Sequence, residues 1–260
     1  YLVLVMNMRK AIKQQTKVNS KDFKLRGMEH TRIEGLSDGV FAIAIALLLI
    51  SADVPERFDE LKLFLTDFVP FGATIVLLMV IWYQHYIFFI RYGLRDASIV
   101  ALNTLLLFFI LFYVYPLKFL FKTLFTLFTA IFQQDQNSLE YLFTETIPIS
   151  DGPTLMIIYG GVASSIFICL ALLYWYALRK KKNLKLTAIE EFDTRTSLGT
   201  NLALASIPIL SSLVAISNIL GNHTFTIAGF TYFLYPIIMP IYGIRREKIR
   251  NRLFKTEAEN

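Results

Sequence analysis

The chain has 260 residues, of which 55% are hydrophobic, 15% aromatic and only 18% charged, with a formal net charge of +6. Its apolar residues come in blocks of about 20, the length that crosses a bilayer as a helix, and its charged fraction is below the roughly 25% that is usual in soluble domains. The composition excludes an ordinary soluble domain and predicts an all-α membrane protein, because helices satisfy their backbone polar groups internally.

The apolar blocks predict six transmembrane helices per subunit, over residues 33–51, 68–90, 97–118, 154–178, 198–219 and 225–243. The chain then divides into an N-terminal segment (1–32), helices one to three (33–118), a connection (119–153), helices four to six (154–243) and a basic tail (244–260). Residues 1–8 are expected to be a start-site or vector remnant outside the fold. The connection 119–153 is predicted to be extracellular, either extending the third helix or lying at the interface.

The basic residues predict the orientation of these helices. If both termini are cytoplasmic, 22 of the 26 Lys and Arg residues fall on the inside, as the positive-inside rule requires. The basic runs at 179–185 and 245–252 flank predicted spans, which explains them without nucleic acid as a partner. They are also suited to contact with anionic membrane lipids.

Four polar residues are predicted to lie at one depth inside the membrane. With a helix rise of about 1.5 Å per residue, Ser37 and Asp38 lie about 7 Å from the inner end of the first helix, and Asn103 about 9 Å from the inner end of the third. His85 falls at a similar depth on the second helix, and Arg32 lies just below the layer. The second and third helices are antiparallel neighbours, because their connection is short.

Two interpretations of this polar layer remain open. It is either an ion or proton site, or a buried hydrogen-bond cluster in which Asp38 accepts from Arg32, His85 or Asn103 and holds the first helix in place. We favour the structural cluster, because no polar relay continues across the bilayer. Trp82 and Gln84 are further candidate members. The functional alternative is a proton-coupled carrier in which Asp38 and His85 titrate.

The first helix carries two stripes at helical spacing. The small stripe, which permits close helix approach, comprises Gly35, Gly39, Ala42 and Ala46. The bulky aliphatic stripe comprises Ile43, Leu47 and Ile50. The bulky residues face either lipid or a symmetry axis, where they would form hydrophobic constrictions of a pore.

Nothing in the sequence indicates catalysis, a metal centre or a cofactor. His30, His85 and His223 fall near different faces of the membrane, without metal-ligand spacing or a nucleophile–base pair. The single cysteine, Cys169, lies within a predicted span and is expected to be a small buried hydrophobe. The chain is therefore predicted not to be an enzyme.

The stretch "RIEGLSDGVFAIAIALLLI" (32–50) resembles the first helix of the transmembrane protein 175 family. That family has an arginine, then phenylalanine-serine-aspartate, then a run similar to Gly-Val-Phe-Ala-Ile-Ala-Ile-Thr-Leu-Leu. The resemblance continues through "IWYQHYIFF" and "LNTLLLFFILFYVYP" and covers residues 32–118. Leu36 stands where the motif has phenylalanine, and Ala46 where threonine is common.

The resemblance implies a potassium-permeable channel without a Thr-Val-Gly-Tyr-Gly filter. Prokaryotic members with one six-helix unit form homotetramers in the inner membrane, with the first helices lining the pore. By position, Ile43, Leu47 and Ile50 match the family's pore-lining rings, and its polar network maps onto Arg32, Ser37, Asp38, His85 and Asn103. Ala46 lacks the hydroxyl of the common threonine, so weaker discrimination of K⁺ from other monovalent cations is expected.

Overall fold

The structure is a computed structural model that describes residues 23–50, 56–217, 219 and 221–254. The side chains at positions 49, 50, 63, 222 and 254 lie outside the described part, as do residues 1–22 of the predicted N-terminal segment and 255–260 of the predicted basic tail.

Every regular element in the described part of the chain is helical. The helices in chain order are α1 (Arg32–Ile50), α2 (Phe58–Thr66), α3 (Phe68–Tyr92), α4 (Ala97–Gln133), α5 (Gln136–Tyr141), α6 (Gly152–Arg179), α7 (Lys181–Leu184), α8 (Ala188–Ser217), α9 (Thr224–Phe230) and α10 (Tyr235–Phe254). A π-helical turn spans Leu142–Thr146, and 3₁₀ turns span Gly221–His223 and Thr231–Leu234.

Five stretches of the described residues are helical, long and apolar enough to cross a membrane: Phe58–Tyr92, Ala97–Gln133, Gly152–Arg179, Ala188–Ser217 and Thr224–Leu253. Helix α1, with 19 residues, is the span predicted at 33–51. These helices support a multi-pass membrane protein. The count of six spans and the cytoplasmic position of both termini stay predictions.

The core is an aromatic cluster in which α3 and α6 meet. The rings of Phe88 and Tyr174 pack edge to face with centroids 5.3 Å apart, and Tyr92 contacts both. The hydroxyl of Tyr92 donates to Thr194 Oγ1 of α8 at 2.7 Å. Cys169 is buried in the same cluster with a free thiol, which confirms its predicted role.

Helices α6 and α8 form the most extensive helix pair, and a glycine permits their close approach. A Cβ atom at Gly160 would lie 2.1 Å from Ser212 Oγ and 2.5 Å from the Pro208 carbonyl oxygen of α8. Atoms cannot approach this closely, so only glycine fits here without a shift of one helix. At Gly161, the next residue, an added Cβ would meet nothing within 4 Å.

Three helix boundaries differ from the sequence prediction. Helix α4 continues past the predicted span end at 118 to Gln133, because its apolar side chains continue and Pro116 does not interrupt it, and this is the predicted alternative in which the connection extends the third helix. Helix α8 begins at Ala188, ten residues before the predicted span at 198–219. The last predicted span is broken at the 3₁₀ turn Thr231–Leu234, because Pro236 lacks the N–H that would bond to the carbonyl four residues earlier.

Candidate pore helix and polar cluster

Helix α1 has one face covered by the chain's own helices. Ser37, Phe41, Ala44 and Leu48 are each at most 2% exposed. Their spacing of four, three and four residues places them on one side of a helix with about 100° per residue. This side packs against α3 and α4. Helix α1 is therefore attached to the rest of the subunit by this buried side and not by the side that carries its glycines.

Among the described residues, only His30 lies over the opposite side of α1, beside Gly35 in the first turns. We call this side the open face, and its exposed residues are Gly35, Leu36, Gly39, Ala42, Ile43 and Ala46. Leu36 is 64% exposed and Ile43 is 55% exposed. Counting about 100° per residue puts Gly35, Gly39 and Ala46 near the middle of this face. Ala42 lies toward one edge, and the bulky Ile43 and Leu36 lie toward the other.

The predicted bulky stripe is divided by this geometry. Ile43 belongs to the open face, whereas Leu47 is half-buried and packs against the hydrophobic core. The side chain of Ile50 lies outside the described residues. Ala46 is exposed, one helical turn from Ile43.

Three of the predicted polar residues form a buried chain of hydrogen bonds that joins α1, α3 and α4. We call Ser37, His85 and Asn103 the helix clasp. Ser37 Oγ donates to the Ile33 carbonyl at 2.8 Å, and Asn103 Nδ2 donates to Ser37 Oγ at 2.9 Å. Asn103 Oδ1 lies 2.7 Å from His85 Nε2, and because this oxygen only accepts, His85 is the donor. All three residues are at most 2% exposed.

The sequence predicted that Asp38 accepts a hydrogen bond from Arg32, His85 or Asn103. In the structure it accepts from none of these three residues. Its Oδ1 accepts from Trp82 Nε1 at 2.8 Å, and its Oδ2 lies 3.3 Å from His30 Nε2. The reason is geometric: consecutive side chains on a helix point about 100° apart, so Asp38 leaves the interior that Ser37 enters. The Asp38 side chain is 49% exposed.

Arg32 is exposed, and it forms no hydrogen bond or ion pair with another described residue. Trp82 was a candidate member of the layer from its position, whereas His30 was not placed near Asp38. The extended segment before α1 brings His30 back over the first helical turns, and helical periodicity alone carries no information about such a segment.

The C-terminal end of α1 also has a partner that sequence reasoning missed. Lys118 Nζ of α4 donates to the Leu48 carbonyl oxygen at 2.9 Å. The last four carbonyls of a helix lack intrahelical donors, and the helix dipole favours a cation there. One turn farther along α4, Lys122 pairs with Asp67 at 3.0 Å.

No group of three or more His, Cys, Asp or Glu residues lies close enough to hold a metal ion in the part of the chain that the structure describes. Among the polar groups around α1, hydrogen bonds join Ser37 to Asn103, Asn103 to His85, and Asp38 to Trp82 and His30. The clasp runs from His85 to the Ile33 carbonyl and does not include the Asp38 carboxylate.

Comparison with known proteins identifies the fold. Residues 32–113 match the family model described as the endosomal/lysosomal potassium channel TMEM175. The chain is 42% identical over 238 residues to a protein from Marivirga tractuosa named potassium channel, an alignment that covers 90% of this chain and 94% of that protein. The chain belongs to the TMEM175 family.

A solved TMEM175 structure has the same fold. The chain is similar, with a TM-score of 0.79 and 43% identity, to the crystal structure of the potassium channel MtTMEM175, a threonine-to-alanine variant in complex with a nanobody–MBP fusion protein. The similarity covers 87% of this chain and 97% of that chain. The family resemblance found in residues 32–118 is thus confirmed, and the relatives' names describe transport rather than an enzymatic activity.

Proposed function

We propose that this TMEM175 family member is a potassium-permeable cation channel, a homotetramer in the inner (plasma) membrane of a prokaryote. Each subunit contributes six transmembrane helices with both termini in the cytoplasm. Conduction is passive, through a central pore lined by α1. The proposal is supported by the relatives, which are named potassium channels, and by the charge distribution along the chain.

The observation that carries the proposal is the open face of α1. One side of this helix is buried against α3 and α4, and the other side, with Gly39 and Ala46 at its middle, is left uncovered by the described residues beyond the first turns, where His30 lies beside Gly35. Cyclic assembly around a central axis would turn this face toward the axis or toward a neighbouring copy. Small residues permit such copies to approach closely.

Within this pore, Ile43, Leu47 and Ile50 form the hydrophobic constrictions. Ile43 is the best supported, because its side chain stands on the open face. Rings of aliphatic side chains gate a pore by excluding water. Ala46 modulates selectivity: it offers no hydroxyl to replace part of an ion's hydration, so the preference for K⁺ over Na⁺ is weak.

The helix clasp holds α1 on α3 and α4 while ions pass on the other side of the helix. Arg32 and Asp38, which are exposed in the single subunit, contact a neighbouring subunit. The carrier alternative needs Asp38 and His85 to exchange a proton, but His85 is bonded to Asn103 and Asp38 to Trp82 and His30. The channel is therefore the better supported function.

Cysteine accessibility tests the position of the pore. In a Cys169→Ala background, Ile43→Cys and Ala46→Cys are reconstituted into liposomes, and K⁺ flux is measured before and after a cationic methanethiosulfonate reagent. The matched control is Ala44→Cys, because Ala44 is 0% exposed on the covered face. We expect modification to block flux at positions 43 and 46 only.

Two alternatives, an open face of α1 that faces lipid and a pore lined by its covered face, give other results. A thiol that faces lipid does not meet a charged reagent, so unreactive cysteines at both open-face positions would refute the pore assignment. Block of Ala44→Cys with no effect at position 43 would mean that the covered face of α1 lines the pore.

A further inference from the structure

The segment that leads into α1 is built into the cytoplasmic end of the helix bundle. The backbone N–H groups of Arg26 and Gly27 donate to the carbonyls of Arg91 and Ile90 at the end of α3. A Cβ atom at Gly27 would lie 2.1 Å from the Phe89 carbonyl oxygen, so the two backbones touch. Phe23 is buried, with its ring edge to face against Tyr92. The start of α1 is therefore fixed to the scaffold.

The centre of this attachment is Glu190 of α8, which is 1% exposed. Its carboxylate accepts from both terminal nitrogens of Arg26, at 2.9 and 2.7 Å, and from the backbone N–H groups of Lys24 and Thr187, at 2.7 and 2.9 Å. A buried carboxylate with four donors is a satisfied site. Removing Arg26 alone would leave the negative charge of Glu190 buried and partly unpaired.

Arg26 also bonds the loop between α6 and α8. Its Nε donates to the Leu184 carbonyl at 2.9 Å, and a terminal nitrogen lies 3.4 Å from the Lys185 carbonyl. This loop is the most basic part of the chain, "RKKKNLK" (179–185), which we call the basic loop. Lys185 adopts a left-handed conformation with φ 49°, so the loop has a defined shape at the point where Arg26 binds it.

In the proposed topology, the basic loop lies at the level of the cytoplasmic membrane surface. It follows the α6 span directly, and the last turn of that span stacks Arg179 on Trp175 at 3.9 Å and Lys180 over Tyr176 at 5.5 Å. Tryptophan and tyrosine mark the membrane–water interface. Of the lysines in the loop, Lys181 pairs with Glu191, whereas Lys182 and Lys185 are exposed and form no salt bridge with another described residue.

We propose that the basic loop binds the phosphate of anionic phospholipids in the cytoplasmic leaflet, and that Arg26 couples this binding to the pore helix. The second half rests on the proposed channel function. A bound phosphate neutralises the repulsion among the loop's lysines and stabilises the loop shape that presents the Leu184 and Lys185 carbonyls to Arg26. The start of α1 is then held in the described position.

The partner is a lipid rather than a soluble phosphate because of where the charges stand. Three features coincide: exposed lysines, interfacial aromatic residues one turn earlier, and a preceding span that fixes the loop at headgroup depth. Basic residues next to a span each add to the attraction of an anionic leaflet. A soluble anion gains nothing from the aromatic residues or from the depth.

The retention of lipid tests the first half of the proposal, that the basic loop binds anionic phospholipids. The wild type is compared with Lys180→Gln/Lys182→Gln/Lys185→Gln and with the matched control Arg57→Gln/Lys62→Gln/Lys122→Gln, which removes the same charge from exposed positions on the predicted outer side. Bound phosphatidylglycerol is counted by native mass spectrometry, with free glycerol phosphate as the soluble competitor. We expect the loop variant to retain phosphatidylglycerol about a hundredfold less tightly.

Three results would overturn the binding half. Equal losses in the loop variant and the control variant would mean that only overall charge matters. Displacement of the lipid by glycerol phosphate would identify the site as one for a soluble anion. Unchanged retention in the loop variant would remove the basic loop from lipid binding.

Flux tests the coupling half. K⁺ flux is compared in phosphatidylcholine vesicles with and without phosphatidylglycerol, for the wild type and for Arg26→Gln/Glu190→Gln, a neutral pair that leaves no buried charge. We expect phosphatidylglycerol to raise wild-type flux about fivefold and to leave the flux of the double variant unchanged while that variant still retains the lipid. The membrane surface potential is the same for both proteins, so it cannot produce this difference.

The failures are distinguishable. An equal response of both proteins to phosphatidylglycerol would refute the role of Arg26. Absence of K⁺ flux in every vesicle would overturn the proposed channel and with it the coupling, whereas lipid binding would still be decided by the mass spectrometry.

Discussion

Replacing Asn103 with leucine removes the middle member of the helix clasp. It breaks two buried hydrogen bonds, to Ser37 Oγ at 2.9 Å and from His85 Nε2 at 2.7 Å, and leaves the His85 N–H without an acceptor. A hydrogen bond between membrane helices is worth about 0.6–2 kcal/mol, and an unsatisfied buried donor costs about 1–3 kcal/mol. We therefore expect the free energy of unfolding to fall by roughly 2–3 kcal/mol, which lowers the melting temperature by about 5–10 °C.

A double-mutant cycle separates the hydrogen bond from other effects. His85→Phe fits a site where the ring lies 4.7 Å from Phe89 and 6.0 Å from Phe41. The double variant leaves no unpaired polar group between positions 85 and 103. Its loss of unfolding free energy should therefore be smaller than the sum of the losses of the two single variants by about 1–3 kcal/mol. Thermal unfolding in detergent, followed by tryptophan fluorescence, measures each variant.

The matched control is Thr104→Val, because Thr104 is exposed on the same helix and bonds only within it. We expect this variant to unfold within about 1 °C of the wild type. Strictly additive single losses would refute the clasp, as would an Asn103→Leu variant as stable as the control. Loss of a proton-driven flux in a folded Asn103→Leu protein would instead revive the carrier.

The remaining predictions concern helix packing and the pore. Gly160→Val should lower the melting temperature by several degrees, because its Cβ would lie 2.1 Å from Ser212 Oγ. The control Gly161→Val, which has open space around the added Cβ, should leave the melting temperature unchanged. Equal effects of the two substitutions would refute the close contact. Ile43→Asn should wet the constriction, raising single-channel conductance and lowering selectivity; unchanged currents would remove Ile43 from the pore. Ala46→Thr should raise the K⁺-over-Na⁺ permeability ratio, measured from reversal potentials, and an unchanged ratio would show that the missing hydroxyl at position 46 does not weaken selectivity.

Much of the site was predictable because it follows from helix geometry alone. Counting the rise per residue from the predicted inner ends of three helices placed Ser37, His85 and Asn103 at one depth, and the structure joins them by hydrogen bonds. The same geometry separated the face of α1 that carries Ile43 from the one that carries Ser37. Periodic patterns on long helices are the part of a fold that the sequence expresses most directly.

The remaining features depend on contacts between segments distant in the chain. Arg26 and Glu190 are separated by 164 residues, and no periodicity relates them. Asp38 was assigned to the wrong partners because depth alone does not give the direction of a side chain around the helix axis. The break before Pro236 lies where the 3₁₀ turn packs against α8, a contact between separate segments.

Reversal potentials of the purified protein in a planar bilayer, with K⁺ on one side and Na⁺ on the other, test the central claim most directly. The account predicts a passive current without a proton gradient, reversing between zero and the K⁺ equilibrium potential, with a modest K⁺ preference because Ala46 lacks a hydroxyl. No current, or a current that appears only when a proton gradient is applied, would contradict the channel and return Asp38 and His85 to the role of titrating groups.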